Sequence, residues 1–223
     1  MLRNTGMFTN MPWSEECAEM INPYLDKISL GIDLNITTGR PVLSEKEISG
    51  IVRKDGYFLT SNELRMYNLE NKMFDELVWD EIYREFEAQI IKFIKINGQI
   101  PDYIHAHAYT PEVIKNIQRD LAKKYNVPYS FDLWEALENQ IKTSLESFIL
   151  DNSDNLLNMK FCILVGHMGY VDKELMDLST YSLYRINDLH ASVSPKIIQW
   201  VENNQVELIT YRYFKNTKVI NDK

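Results

Sequence analysis

Cysteine is nearly missing from this sequence: Cys17 and Cys162 are the only two, too few for a disulfide framework. Cys162 stands inside the apolar run Phe161-Cys162-Ile163-Leu164-Val165, where a small buried hydrophobe is expected. Long apolar runs are missing as well. None approaches the ~20 residues that a membrane-spanning helix requires, and the N-terminus lacks a basic flank followed by a continuous apolar core. No membrane association is expected, and the cytoplasm is the default location. Basic runs are also absent. With 24 Lys and Arg against 32 Asp and Glu, a net charge of −8, the chain would repel a phosphate backbone, so nucleic acid is not an expected partner. No stretch rich in Pro, Gly or Ser divides the 223 residues into separately patterned halves, and no repeat or low-complexity tract is present. One domain, 1–223, is expected.

What the sequence does contain is ordinary globular material, 45% hydrophobic and 25% charged, ample for a sizeable core. Lys27 to Ile36 alternates apolar with small or polar residues and runs into Thr37-Thr38-Gly39-Arg40-Pro41, so a strand entering a loop is expected. From Trp79 to Asn97 the apolar residues Ile82, Phe86, Ile90, Phe93 and Ile94 recur at three- and four-residue spacing, and Gly98 follows as a C-cap. Tyr103 to His107 is a short strand candidate. Thr110-Pro111 reads as an N-cap and first-turn proline for a helix through Tyr125. Later come a strand at Lys160–Val165, helices at Tyr181–Leu189 and Pro195–Glu202, and a strand at Val206–Tyr211. The stretches 59–77 and 128–158 read as insertions with short helices. Strands separated by helices imply a parallel α/β sheet, either a barrel or doubly wound.

Ligands of such folds bind at the carboxyl ends of strands, where Asp33, His105, His107 and His167 all fall. His105 and His107 are two apart, a spacing that on a strand directs both imidazoles to one face and lets them approach one metal ion. Satisfied polar side chains at strand mouths are common, so the spacing is permissive. With Asp33 the set can hold Zn²⁺ or another divalent ion and activate a bound water. His167, beside Gly169, is a candidate proton donor to a leaving group. Arg185 and Asp172 are candidates for orienting it or holding substrate, against the plain alternative of solvated surface pairs. Trp13, Trp79, Trp134 and Trp200 can stack on a sugar ring, but Trp79 and Trp200 sit in helical stripes that suit a core. His190 reads as surface, and no carboxylate spacing singles out a glycosidase pair.

Taken together, several segments resemble the YdjC-like carbohydrate deacetylases, the chitooligosaccharide deacetylase family, from about Met7 to Phe214. Met7-Phe8-Thr9-Asn10-Met11-Pro12 is similar to the family's second strand and Asn-x-Pro turn. Gly31-Ile32-Asp33-Leu34-Asn35-Ile36-Thr37 with Gly39-Arg40-Pro41 resembles its Gly-x-His-x-Asn-Leu-Thr block. Asp55-Gly56-Tyr57-Phe58 and Ala88-Gln89 match. Pro101 to His107 resembles Pro-Thr-His-Ile-Asp-Ser-His, and His167-Met168-Gly169-Tyr170-Val171-Asp172 resembles His-Pro-Gly-Tyr-Val-Asp. Tyr181, Arg185 and Asp188-Leu189 keep the family's spacing, as does the final Val206–Tyr211 segment.

The resemblance implies an irregular (β/α) barrel of the polysaccharide-deacetylase type that uses a divalent metal, Zn or Mg, to remove acetyl groups from N-acetylated amino sugars. A small carbohydrate is then the expected substrate. The departures are equally specific. The family begins with a strand ending in Ala-Asp-Asp-Phe-Gly, which supplies a metal ligand and the water-activating base, and this sequence starts after it. The family's first metal histidine is Asp33 here, its second is retained as His107, and the Asp preceding that second histidine is His105. The later histidines are Ala108 and Tyr109, and the proline after the catalytic histidine is Met168. Two functions follow as expectations: a metal-dependent deacetylase with Asp33, His105 and His107 as ligands and His167 as acid, or a catalytically inactive relative that binds a sugar or a protein. A barrel short of its first strand leaves two open edges, so a homodimer covering them is expected over an open monomer.

Overall fold

A computed structural model of the chain describes residues 1–71, 76–133, 136–138, 143–179 and 181–216. In chain order the elements are β1 (Asn4–Met7), α1 (Ser14–Ile21), β2 (Ser29–Leu34), α2 (Ser61–Asn71), α3 (Glu76–Asn97), β3 (Ile104–Ala106) and α4 (Glu112–Tyr125). They are followed by β4 (Ala136–Glu138), α5 (Leu145–Asp151), α6 (Ser153–Asn158), β5 (Ile163–Val165), α7 (Lys173–Leu178), α8 (Tyr184–Val193), α9 (Pro195–Asn203) and α10 (Arg212–Asn216). Short 3₁₀ turns lie at Asn22–Tyr24 and Ser130–Asp132. The chain divides into two compact units, residues 3–133 with 210–223 and residues 1–2 with 134–209. Neither crossing of the chain, at 133 or at 210, is marked by a Pro- or Gly-rich stretch, and the sequence therefore reads as undivided.

In the first unit the strands form a parallel sheet in the order β1-β2-β3, with Met7 opposite Ile32 and Asp33 opposite His105. The period-two alternation seen in the sequence sorts its faces. Leu30, Ile32, Leu34 and Ile104 feed one buried core together with Ile82, Phe86, Ile90 and Phe93 of α3 and Ile114, Ile117 and Leu121 of α4. Each such side chain contributes about 1.5–3 kcal/mol by leaving water. α3 ends where Gly98, at φ 68°, takes the left-handed conformation and donates its N–H to Ile94 O. α4 starts with Pro111 itself at the N-cap, one position later than the Thr110 cap expected, and stops at left-handed Asn126.

The opposite face carries Ser29, Gly31, Asp33, Tyr103 and His105. Its N-terminal end is covered by the last segment of the chain: Tyr211 stacks on Tyr103 with ring centroids 3.7 Å apart, and its N–H reaches Asn4 Oδ1 at 2.9 Å. Arg212 and Lys215 pair with Asp102 at 3.3 and 3.6 Å. The expected strand at Val206–Tyr211 is therefore not formed. Val206 N–H turns back to Val201 O at the end of α9, and residues 206–210 carry no ladder among the described residues. An apolar alternation makes a strand only where a neighbouring edge accepts it.

In the second unit β4 pairs with β5 in parallel, Leu137 opposite Leu164. Leu145, Ile149, Leu156, Ala191 and Ile197 make its core, with Trp200 packed against them and donating Nε1–H to Ser153 Oγ at 2.8 Å. Ser144 caps α5 and Asp172 caps α7. β5 is shorter than the run from Lys160, and Cys162, just before it, is exposed, contrary to the buried position expected of it. α8 begins at Tyr184, three residues after the expected start. Trp79 and Trp200 lie against their cores as expected, and Trp134 falls outside the described residues. No described helix is long and apolar enough to cross a membrane.

Candidate active site

At the carboxyl ends of β2 and β3, Asp33 and His105 are register partners, so both side chains leave the same face of the sheet. Two glycines make room there. A Cβ on Gly6 would stand 2.2 Å from Asp33 Oδ1, and one on Gly31 would stand 2.4 Å from the Tyr103 ring. The Asp33 carboxyl thus lies over bare backbone, and burial alone raises its ionisation from 3.8 to about 7. Burial, and then the Asp33 charge, push the Tyr103 phenol well above its ordinary value, so it stays protonated.

His105 is held on two sides by the turn Ser130–Asp132. Its Nδ1 lies 2.6 Å from Ser130 Oγ, and its ring stacks on Phe131 at 4.9 Å and 9°. His107 has a neighbour of its own. β3 ends at Ala106, His107 donates its N–H to Leu34 O at 3.2 Å, and its ring makes a T-shaped pair with Phe8, centroids 4.7 Å apart. Ala108 then takes φ 57°, a left-handed conformation unusual for a residue with a Cβ.

The loop beyond β2 is fixed by buried amides. Asn35 accepts from Thr37 and Thr38 N–H with Oδ1, and its Nδ2 donates to Thr38 O and to Asn10 Oδ1. Asn10 donates to Thr38 O and Arg40 O. Gln89 of α3 closes the set by donating to Asn35 O and Glu85 and accepting from Asn35 N–H. Glu85, buried and with its ionisation raised by that burial, accepts from Val42 and Leu43 N–H at 2.9 and 3.0 Å.

The metal expected from the resemblance finds no ligand set among the described residues. Among the described residues no three His, Cys, Asp or Glu side chains gather so as to hold an ion. Asp33 lies over Gly6, His105 is engaged by Ser130 and Phe131, and His107 turns to Phe8. β3 ends at Ala106, and His107 N–H still donates to Leu34 O of β2 just beyond it.

In the second unit His167 follows β5 with an exposed side chain. Its N–H donates to Asp188 Oδ2 at 2.8 Å, and its ring lies 5.1 Å from that of Tyr181. Tyr181 donates its hydroxyl to the same Asp188 oxygen at 3.0 Å. Burial, then that bond, raise its ionisation to about 12. Asp188 is 1% exposed, and its other oxygen has no partner among the described residues. Arg185 donates Nε–H to Tyr181 O and accepts Gly169 N–H, fixing the turn that carries His167. Asp172 accepts Leu175 N–H at 2.8 Å as the cap of α7. His190 is exposed, as expected. Sequence reasoning passed over Ser130 and Phe131, which carry no motif, and noted Asp188 only for its spacing.

Fold and site define an α/β protein with a parallel sheet and with carboxyl and imidazole groups at its strand ends. The profile of the family described as YdjC-like protein matches residues 1–203. The chain belongs to the YdjC-like family. It is 24% identical to Carbohydrate deacetylase 2 of Listeria innocua, over 95% of this chain and 87% of that one. It is also 24% identical to the Carbohydrate deacetylase of Clostridium beijerinckii, over 95% of this chain and 88% of that one. A crystal structure from Enterococcus faecalis V583, described as a cellobiose-phosphate cleavage protein, matches with a TM-score of 0.82 at 21% identity, covering 94% of this chain and 87% of that one. That likeness is one of fold.

Proposed function

We propose that this protein is a carbohydrate deacetylase that hydrolyses the acetamide of an N-acetylated amino sugar, with its strands belonging to an irregular (β/α) barrel in the cytoplasm. Family membership over residues 1–203 and relatives bearing the name deacetylase support the reaction class. The observation that carries it on this chain is Asp33, a carboxyl at a strand end whose ionisation lies at about 7. Amide hydrolysis needs a group that takes a proton from water, and a group works best at this when it ionises near the operating pH. The departing amine must also receive a proton. An imidazole suits that role, and the resemblance of His167-Met168-Gly169-Tyr170-Val171-Asp172 to the family's catalytic segment nominates His167 for it. Arg185 holds the His167 turn, so its part is positional.

No step is routed through a metal ion, because the described donors do not gather as a site. The same fact favours a second reading, a relative that binds a sugar or a protein without turning it over. Acetate release from N-acetylated chito-oligosaccharides, with metal analysis of the purified protein, separates the two. Deacetylation predicts release that falls about 10²-fold or more in Asp33→Asn and in His167→Ala. Sugar binding by calorimetry with no release, with or without added divalent ions, establishes the second reading instead.

A further inference from the structure

Ser130 and Phe131 stand 25 and 26 residues beyond His105, yet they determine its surroundings. Their turn is anchored independently of the histidine. Tyr129 donates its hydroxyl to Gln118 of α4 at 2.9 Å, Asp132 receives Arg119 of α4 at 2.9 Å, and Pro128 O accepts Ile104 N–H at 2.9 Å. A side chain delivered by so fixed a turn constrains its partner and does not merely follow it.

Ser130 is 2% exposed, and the single partner of its hydroxyl among the described residues is His105 Nδ1, at 2.6 Å. Two arrangements satisfy that distance. If Nδ1 carries a proton and donates it, the serine proton is left buried without an acceptor, at a cost of about 1–3 kcal/mol. If Nδ1 is bare, the serine donates to it and every proton has a place. An imidazolium repeats the first fault and adds a half-buried charge. Phe131, flat against the ring, fixes its plane.

We propose that Ser130 is a positioning residue that fixes His105 as the tautomer with its proton on Nε2, so that His105 offers a hydrogen-bond donor and not a lone pair to a metal ion. The oxygen it would donate to, the acetyl carbonyl or a sugar hydroxyl, rests on the deacetylase reading; the tautomer does not. A ring nitrogen that already carries a proton cannot coordinate a cation without losing it, which agrees with the failure of His105 to join a ligand set.

Two-bond ¹H–¹⁵N correlation spectra of the ligand-free full chain at neutral pH read the tautomer directly, with His105 assigned by the signals lost in His105→Asn. The expected spectrum shows His105 Nδ1 at the shift of an unprotonated nitrogen and Nε2 at that of an N–H. Ser130→Ala should move both toward a tautomer mixture, Ser130→Thr should restore them, and added Zn²⁺ should leave them in place. A proton on Nδ1 in the unaltered protein, a Zn²⁺-induced shift at Nε2, or an unchanged spectrum in Ser130→Ala would each overturn the proposal. If Ser130→Ala does not fold, the unaltered tautomer, Ser130→Thr and the Zn²⁺ titration decide it. None of these readings requires turnover, so an inert protein would leave the test intact.

Discussion

Single residues at the sheet's carboxyl end carry measurable strain. Asp33 is the clearest. Its carboxyl ionises near 3.8 in the unfolded chain and at about 7 in the fold, so the folded state binds the extra proton between those values. The stability this gives is complete below about pH 4 and is lost as pH rises through 7. Asp33→Asn is expected to abolish that loss. The variant should be more stable than the parent at pH 8, by something on the order of 1–3 kcal/mol, and no more stable below pH 4. Chemical denaturation across that range measures the difference, and equal stability at pH 8 would mean that the carboxyl is not desolvated. Ala108 is the second case. At φ 57° its Cβ is unfavourable, and Ala108→Gly should raise stability by about 1 kcal/mol, visible as a thermal shift of a few degrees.

At the scale of elements, the loop after β2 depends on α3. Glu85 accepts two backbone N–H groups, of Val42 and Leu43, from inside the core. Glu85→Ala leaves both without an acceptor and should cost about 2–4 kcal/mol in equilibrium unfolding, whereas a loss below 0.5 kcal/mol would show that water replaces the carboxylate. Asp172→Ala should cost α7 its cap, about 0.5–2 kcal/mol. Elements of this kind were largely legible in the sequence. Ile82, Phe86, Ile90 and Phe93 give α3 its buried stripe, and the alternation through Ile32, Asp33 and Leu34 gives β2 its two faces. What was not legible depended on partners far along the chain. The apolar alternation at Val206–Tyr211 carries no ladder among the described residues, and Tyr211 stacks on Tyr103 instead. Ser130 reached His105 through a turn that no local pattern announces.

At the scale of the molecule, the sequence motifs were sufficient for the family, because their order and separation extend over most of the chain, and the profile match to residues 1–203 agrees. The metal site was not legible in the same way: ligation depends on convergence, which spacing permits but does not enforce. β1 and β3 are the outer strands of the three-stranded sheet; at Ile104 the β3 edge is met by the 128–129 segment, and strand edges left open recruit neighbours. The expected homodimer is tested by sedimentation at micromolar concentration. A dimer is predicted, and a monomer whose β1 and β3 amides resist hydrogen exchange would contradict it.

Deacetylation itself is tested most directly by acetate release from N-acetylated chito-oligosaccharides, followed in parallel for the unaltered protein, Asp33→Asn and His167→Ala. The account predicts release by the unaltered protein, with a pH profile rising as Asp33 ionises near 7, and a loss of about 10²-fold or more in each variant. Release that is absent from the unaltered protein with and without divalent ions, or that is undiminished in both variants, would contradict it.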